Sequence, residues 1–227
     1  MFRIVVVICA GFVLTGLAQD KSVKPGINDN FKDPNLKKFI GMFEGESREV
    51  SVQREKIIEA AGLKPGMKIA DIGAGTGLFT REFAKKVGTD GYVYAVDLTP
   101  KFVEYIRDTC HKSAITNVSP VLCSLDSVSL PPASIDRAFI CDTYHHFEFP
   151  QKTLASLRWA LQPHGRIILI DFKRIPGKSS DWILNHARAG QEQVEKEFAD
   201  AGFRKVQEDS AILKDNYFLI FEKIDKK

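Results

Sequence analysis

The sequence predicts an α/β fold: a seven-stranded, mostly parallel sheet with helices on both faces and a C-terminal antiparallel hairpin. Two observations carry this. Short apolar strands alternate with helical stretches from residue 63 onward, and crossovers of that kind build parallel sheets covered on both faces. The last two strand-like runs, 203–209 and 217–222, lie close enough in sequence to close as a hairpin.

Composition bounds the class. The 227 residues are 44% hydrophobic and 27% charged, with 16 Gly and 10 Pro, which suits one globular domain and excludes collagen-like or largely disordered chains. Lys and Arg total 32 against 29 Asp and Glu, and no long basic block occurs. A general polyanion binder is not expected, and no nucleic-acid partner is assigned.

Taken in order, residues 1–18 carry Arg3, an uncharged apolar run and a Gly16-Leu17-Ala18 end. This reads as a secretory signal peptide, or as a short anchor, since the run is below the roughly 20 residues of a membrane span. The expectation is an exported protein without a stable span in the mature chain; a membrane-anchored or cytoplasmic chain is the alternative. Cleavage leaves Cys110, Cys123 and Cys141, an odd number that forms no disulfide framework. The polar stretch 19–35, with Pro25, Gly26 and Pro34, reads as a linker or loosely held arm.

A single domain over 36–227 follows, divided into N-terminal helices (36–62), a core (63–172) and C-terminal helices with closing strands (173–227). Helices are predicted at 36–43 and 50–61, the second closed by Gly62. Strand 68–72 is followed by helix 78–87, whose Phe79, Phe83 and Val87 share a face. Asp90-Gly91 turns into strand 92–96, and Thr99-Pro100 caps a helix carrying Phe102, Val103 and Ile106. Strands near 120–123 and 135–141, a helix over 151–161, a strongly apolar strand at 166–172 and a helical stretch over 180–201 complete the alternation.

The most specific feature is Asp71-Ile72-Gly73-Ala74-Gly75-Thr76-Gly77 at a strand-to-helix turn. Glycines there let the backbone turn sharply and approach a ligand. A dinucleotide fingerprint needs glycine where Leu78 stands, and no Gly-Lys-Ser/Thr follows for a triphosphate loop. Asp97 ends the next strand, where a carboxylate suits the two hydroxyls of a ribose. With Asp71 able to face a cationic group, the pair suggests a nucleoside with a phosphate-free, cationic tail.

These residues resemble the class I S-adenosylmethionine-dependent methyltransferases: D-I-G-A-G-T-G, the Val96-Asp97 acid, and the strand from Gln162 to Asp171. Within that group the chain is similar to the type 11/25-like, small-molecule subset related to ubiquinone/menaquinone methyltransferases. It is closer still to bacterial proteins sharing R-E-V, C-D-T-Y-H-H-F-E and H-x-R-A-G segments, here 48–50, 141–148 and 186–190. The resemblance implies a Rossmann-like fold and S-adenosyl-L-methionine as cofactor. Asp71, Gly73, Ala74, Gly75, Thr76 and Gly77 would line its methionine and sugar portions. Asp97 would bind the ribose, Leu98 would pack on the adenine, and Asp126 would receive the adenine amino group. Asp142 would approach the methionine moiety, and Arg48 would meet its carboxylate.

The segment after the fourth strand offers Tyr144, His145 and His146 as acceptors for a substrate proton, which makes them the candidate catalytic groups. Adjacent histidines in an extended loop point opposite ways, so no metal set is assigned. His186 and Arg188, two apart on one predicted helix, should face different ways. Trp182, Phe147, Phe149 and Tyr217 read as core or as lining of an apolar pocket. The expected activity is methyl transfer to a small-molecule substrate; a noncatalytic exported protein retaining the cofactor fold is the alternative, and a nucleotide-dependent oxidoreductase is disfavoured by Leu78.

Overall fold

A computed structural model describes residues 19–224. The proposed signal peptide lies outside the described residues. The N-terminal helices are α1 (Leu36–Glu44), α2 (Glu49–Val52) and α3 (Arg54–Ala60), and Asn35 caps α1 by accepting from the Lys38 N–H. The expected helix over 50–61 is thus two short pieces that meet at Gln53.

Then come β1 (Lys68–Ile72), α4 (Leu78–Val87), β2 (Tyr92–Asp97), α5 (Pro100–Lys112), β3 (Val118–Leu122), β4 (Ile135–Cys141), α6 (Pro150–Ala160), β5 (Leu161–Phe172), α7 (Asp181–His186), α8 (Gln191–Asp200), β6 (Phe203–Asp209) and β7 (Asn216–Lys223). One sheet contains all seven strands in the order β3-β2-β1-β4-β5-β7-β6. The first five run parallel, and β7 is antiparallel to both β5 and β6. Strand order reverses between β1 and β4, so a crevice opens beyond their carboxyl ends, where open sheets of this kind bind ligands.

The sheet centre explains the continuous apolar runs. Ile167, Ile168, Leu169 and Ile170 are all fully buried, with Ile167 and Leu169 in the core on one face and Ile168 and Ile170 in the core on the other. Such two-sided burial needs no polar alternation. The sheet edge is different: β3 is part-exposed and accommodates Pro120, as edge strands can.

Two expectations change. The helical stretch 180–201 is broken, because Ala187 takes an extended backbone and Gly190 starts α8 afresh. The break turns Arg188 inward onto Glu197, with both guanidinium contacts at 2.8 Å. Residues 19–35 are also no loose arm: Val23 N–H donates to the Glu148 carbonyl (2.9 Å), Ser22 Oγ donates to the Glu148 carboxylate (2.7 Å), and Asn28 donates to the same carboxylate and to the His146 carbonyl. Apolar contact completes the docking, with Phe31 5.3 Å from Phe39 and 6.4 Å from Phe102.

Candidate active site

The crevice is a cleft of about 780 Å³, floored by the ends of β1, β2 and β4 and covered by α1 and the docked arm. Its floor begins with the glycine turn. Gly73, Gly75 and Gly77 all have positive φ, at 71°, 55° and 77°, a region that side-chain-bearing residues rarely adopt. A Cβ on Gly73 would lie 2.2 Å from the Thr143 methyl, so space as well as conformation demands glycine. Gly73 and Ala74 N–H both donate to the Val96 carbonyl, tying the turn to β2. Gly77 does not line the cleft: it faces Ile106 of α5 and starts α4, a packing role instead of the expected ligand contact.

Asp97 is buried at the end of β2 and lines the cleft. Its two oxygens accept from Gly75 N–H and Thr99 N–H, each at 2.8 Å, which leaves lone pairs for further donors. Burial raises its pKa, and these backbone donors oppose the rise. Asp71 also lines the cleft; burial, with the nearby Asp97 charge adding to it, pushes its pKa up to about 7 against a 2.6 Å hydrogen bond from Thr80 Oγ1. Thr76 Oγ1, buried in the same floor, has no partner among the described residues. A hydrogen-bonding ligand here would satisfy a group that is otherwise costly to bury. Ala74 and Leu98 line the same space.

Asp142, at the end of β4, has φ of 48°, in the left-handed region that few non-glycine residues adopt. Arg48 donates to one Asp142 oxygen from Nε (3.1 Å) and Nη2 (2.9 Å), and Asn216 donates to the other. Arg48 also lies over the Phe43 ring. Arg48 lines the cleft with its guanidinium anchored on Asp142. Burial raises the pKa of Asp142, while the Arg48 charge holds it down.

Two further site expectations are overturned. Asp126 sits at the tip of a tight turn closed by the Ser124–Ser127 bridge; its carboxylate accepts from Ser124 Oγ and is about half exposed, pointing away from the cleft that Leu125 and Ser127 line. Tyr144 is fully buried behind the cleft, where its hydroxyl donates to Glu197 (2.6 Å) and its ring covers Arg188. Burial and the Glu197 charge push its phenol well above the usual value, so it serves no proton transfer. The cause is local: Tyr144–His146 form a 3-10 turn, whose residues step by about 120°, so one points into the core while its neighbours face the cleft.

His145 and His146 do face the cleft, and His186 joins them from the end of α7. Their ring centroids are 4.3, 4.8 and 5.1 Å apart. Asp171 accepts from the His145 backbone N–H (2.9 Å) and holds its Nδ1 at 2.7 Å. Burial, and then the neighbouring imidazoles, lower His146 to about 3 and His186 to about 4. Both are thus neutral at pH 7, the form in which an imidazole can accept a proton.

Sequence reasoning missed the cover. Phe31, Phe39, Phe43 and Phe102 form a continuous aromatic wall, with neighbouring centroids 5.3–6.4 Å apart. The i,i+4 spacing of Phe39 and Phe43 was its one sequence signal. Trp182 and Phe147 line the cleft, whereas Tyr217 is core.

Residues 63–222 match the family described as a methyltransferase domain. The ubiquinone/menaquinone biosynthesis C-methyltransferase UbiE of Bordetella parapertussis is 29% identical over 118 residues, covering 52% of this chain and 45% of that protein. The chain therefore aligns with about half the length of these curated relatives. Among solved structures, a SAM dependent methyltransferase from Aquifex aeolicus superposes with a TM-score of 0.75 at 24% identity, covering 85% of this chain and 100% of that one. Burkholderia thailandensis 1,6-didemethyltoxoflavin-N1-methyltransferase, solved with bound S-adenosylhomocysteine, gives a TM-score of 0.61 at 19% identity over 87% and 85% of the two chains. With the glycine turn, the β2 acid and the reversal of strand order all in place, the match over residues 63–222 shows that the chain belongs to the methyltransferase-domain family, on the fold of the class I S-adenosylmethionine-dependent methyltransferases.

Proposed function

We propose that the chain transfers a methyl group from S-adenosyl-L-methionine to a small molecule with a flat, apolar ring. The observation that carries the cofactor half is Asp97: a buried carboxylate that lines the cleft at the β2 end, beside a turn that only glycine can make. The remaining donor set fits a nucleoside sulfonium, with Thr76 Oγ1 awaiting a partner and Asp71 poised to ionise toward a cation.

Bound S-adenosyl-L-methionine supplies an electrophilic methyl group on sulfur. The protein's share is alignment. Asp97 holds the ribose hydroxyls, Leu98 packs on the base, and the Gly73–Gly75 backbone admits the ligand closely. Asp142, fixed by Arg48 and Asn216, sets the floor beside the amino-acid end. The aromatic wall and Trp182 exclude water and orient an apolar acceptor.

The acceptor class follows from two supports: the aromatic cover, and the local similarity to quinone C-methyltransferases. A quinol-like phenolic ring is the acceptor to screen first. Residues 1–18 read as an export signal; fractionation of a C-terminally tagged full-length chain should place it outside the cytoplasm, and a tagged protein of unshortened mass in the soluble cytoplasm overturns that part.

Calorimetric titration of the chain beginning at Gln19 with S-adenosylhomocysteine tests the cofactor assignment. Micromolar binding that weakens at least tenfold in Asp97→Ala is expected; no binding by a folded protein sinks it.

A further inference from the structure

From the three imidazoles that meet at the acceptor side of the cleft, we infer that His145, His146 and His186 form a binding site for one divalent transition metal of the zinc class. One ring nitrogen from each lies within 4.8 Å of the others. The two elements involved, the 3-10 turn after β4 and the C-terminal end of α7, are 40 residues apart in sequence, so no local rule accounts for the meeting.

His145 gives the strongest indication. It is only 4% exposed, and Asp171 engages its Nδ1, which leaves Nε2 as the lone-pair nitrogen. That Nε2 is buried and has no partner among the described residues. A carboxylate behind a histidine whose other nitrogen is free is the arrangement that fixes and strengthens a metal-ligating imidazole. His146 Nδ1 is likewise buried without a partner among the described residues. Two orphaned imidazole nitrogens side by side are costly unless something accepts their lone pairs.

The supports around the rings are of the kind a rigid site needs. Asn28 donates to the His146 carbonyl (3.1 Å), Lys24 donates to the His186 carbonyl (2.8 Å), and Trp182 stacks on the His186 ring at 4.6 Å. The Lys24 ammonium, held on the carbonyls of Asn185 and His186, keeps its charge and works against a cation, whereas the Asp171 carboxylate directly behind His145 works for one. Tetrahedral zinc with nitrogen at about 2.0–2.1 Å sets ligand nitrogens about 3.4 Å apart. The ring nitrogens, all within 4.8 Å of one another, close by up to about 1.4 Å to reach that spacing. Nitrogen-only ligation by neutral imidazoles suits zinc over calcium or magnesium. Three protein ligands leave a fourth position, which opens on the cleft.

Zinc titration into the untagged, chelator-treated chain beginning at Gln19 tests this, with cobalt(II) and its visible absorption as a second probe of tetrahedral nitrogen ligation. One equivalent of zinc should bind, and His186→Ala and His146→Ala should each lower its affinity at least tenfold while leaving the metal-free melting transition cooperative. Absence of binding to the folded chain, or binding unchanged in both variants, overturns the site. If His146→Ala does not fold, the half-buried His186→Ala decides alone. The titration with S-adenosylhomocysteine reads out the methyl-transfer proposal separately: a chain that binds zinc but not the nucleoside keeps this site and loses that function.

Discussion

At the residue scale, Asp71 is the group whose chemistry depends most on its surroundings. Its pKa, up to about 7, reflects burial first and then the nearby Asp97 charge, which together outweigh the Thr80 hydrogen bond and the Arg81 charge. A cationic ligand lowers that pKa, so binding near neutrality releases a proton and affinity rises as pH climbs through about 7. Calorimetry of S-adenosyl-L-methionine binding in buffers of different ionisation enthalpy should show that release at pH 7, and Asp71→Asn should abolish it. The same shift bears on stability. Because the folded pKa lies above the unfolded one, the contribution is complete below about pH 4 and is lost as pH rises toward 7. Asp71→Asn should therefore melt higher than the parent at pH 8, measured by calorimetric scanning without ligand.

Tyr144 shows the opposite lesson, a polar residue in a site motif that works for the core. Tyr144→Phe removes the donor to Glu197 but leaves Arg188 to pair with that acid. The expected cost is about 1 kcal/mol of stability, read as a shift in urea midpoint, with nucleoside affinity unchanged.

At the scale of elements, the docked arm is the part on which the cleft depends most. Glu148 is buried and receives Ser22 and Asn28, so the arm is pinned beside the histidines by one carboxylate. Glu148→Ala leaves those donors without their acceptor and should cost the arm about 1–3 kcal/mol. Limited proteolysis should then cut within 19–35 well before the sheet is touched. Phe31→Ala keeps the hydrogen bonds but opens the aromatic wall over the cleft, so dissociation of S-adenosylhomocysteine, followed by stopped flow, should speed up. The break between α7 and α8 matters for the same reason, since an unbroken helix would carry His186 and Arg188 to different places.

At the scale of the whole molecule, stability rests on the two cores that sandwich the sheet. Phe139 is fully buried on β4 and packs on Phe79 and Phe83 at 4.8 and 4.9 Å. Phe139→Ala should cost about 3–5 kcal/mol, with the urea midpoint falling and the m-value unchanged. Through the sheet that loss reaches the cleft, because β4 carries Asp142 at its end and pairs with β1, which carries Asp71. Among the described residues no helix is long and apolar enough to cross a membrane.

The sequence by itself determined the order of strands and helices, the glycine turn and the β2 acid. These are local: a buried strand shows itself as an apolar run, a helix as a 3.6-residue period, and a left-handed turn as glycine, whatever lies elsewhere in the chain. Only the tertiary structure decided where individual side chains point. Asp126 turns outward and Tyr144 inward because tight turns rotate neighbouring residues by large angles. Arg48 pairs with Asp142 across 94 residues, and His186 meets His145 and His146 across the mouth of the cleft. The arm 19–35, polar enough to read as a linker, is ordered by a buried acid more than a hundred residues away. Contacts of that reach arise from packing of the assembled sheet, and no periodicity along the chain encodes them.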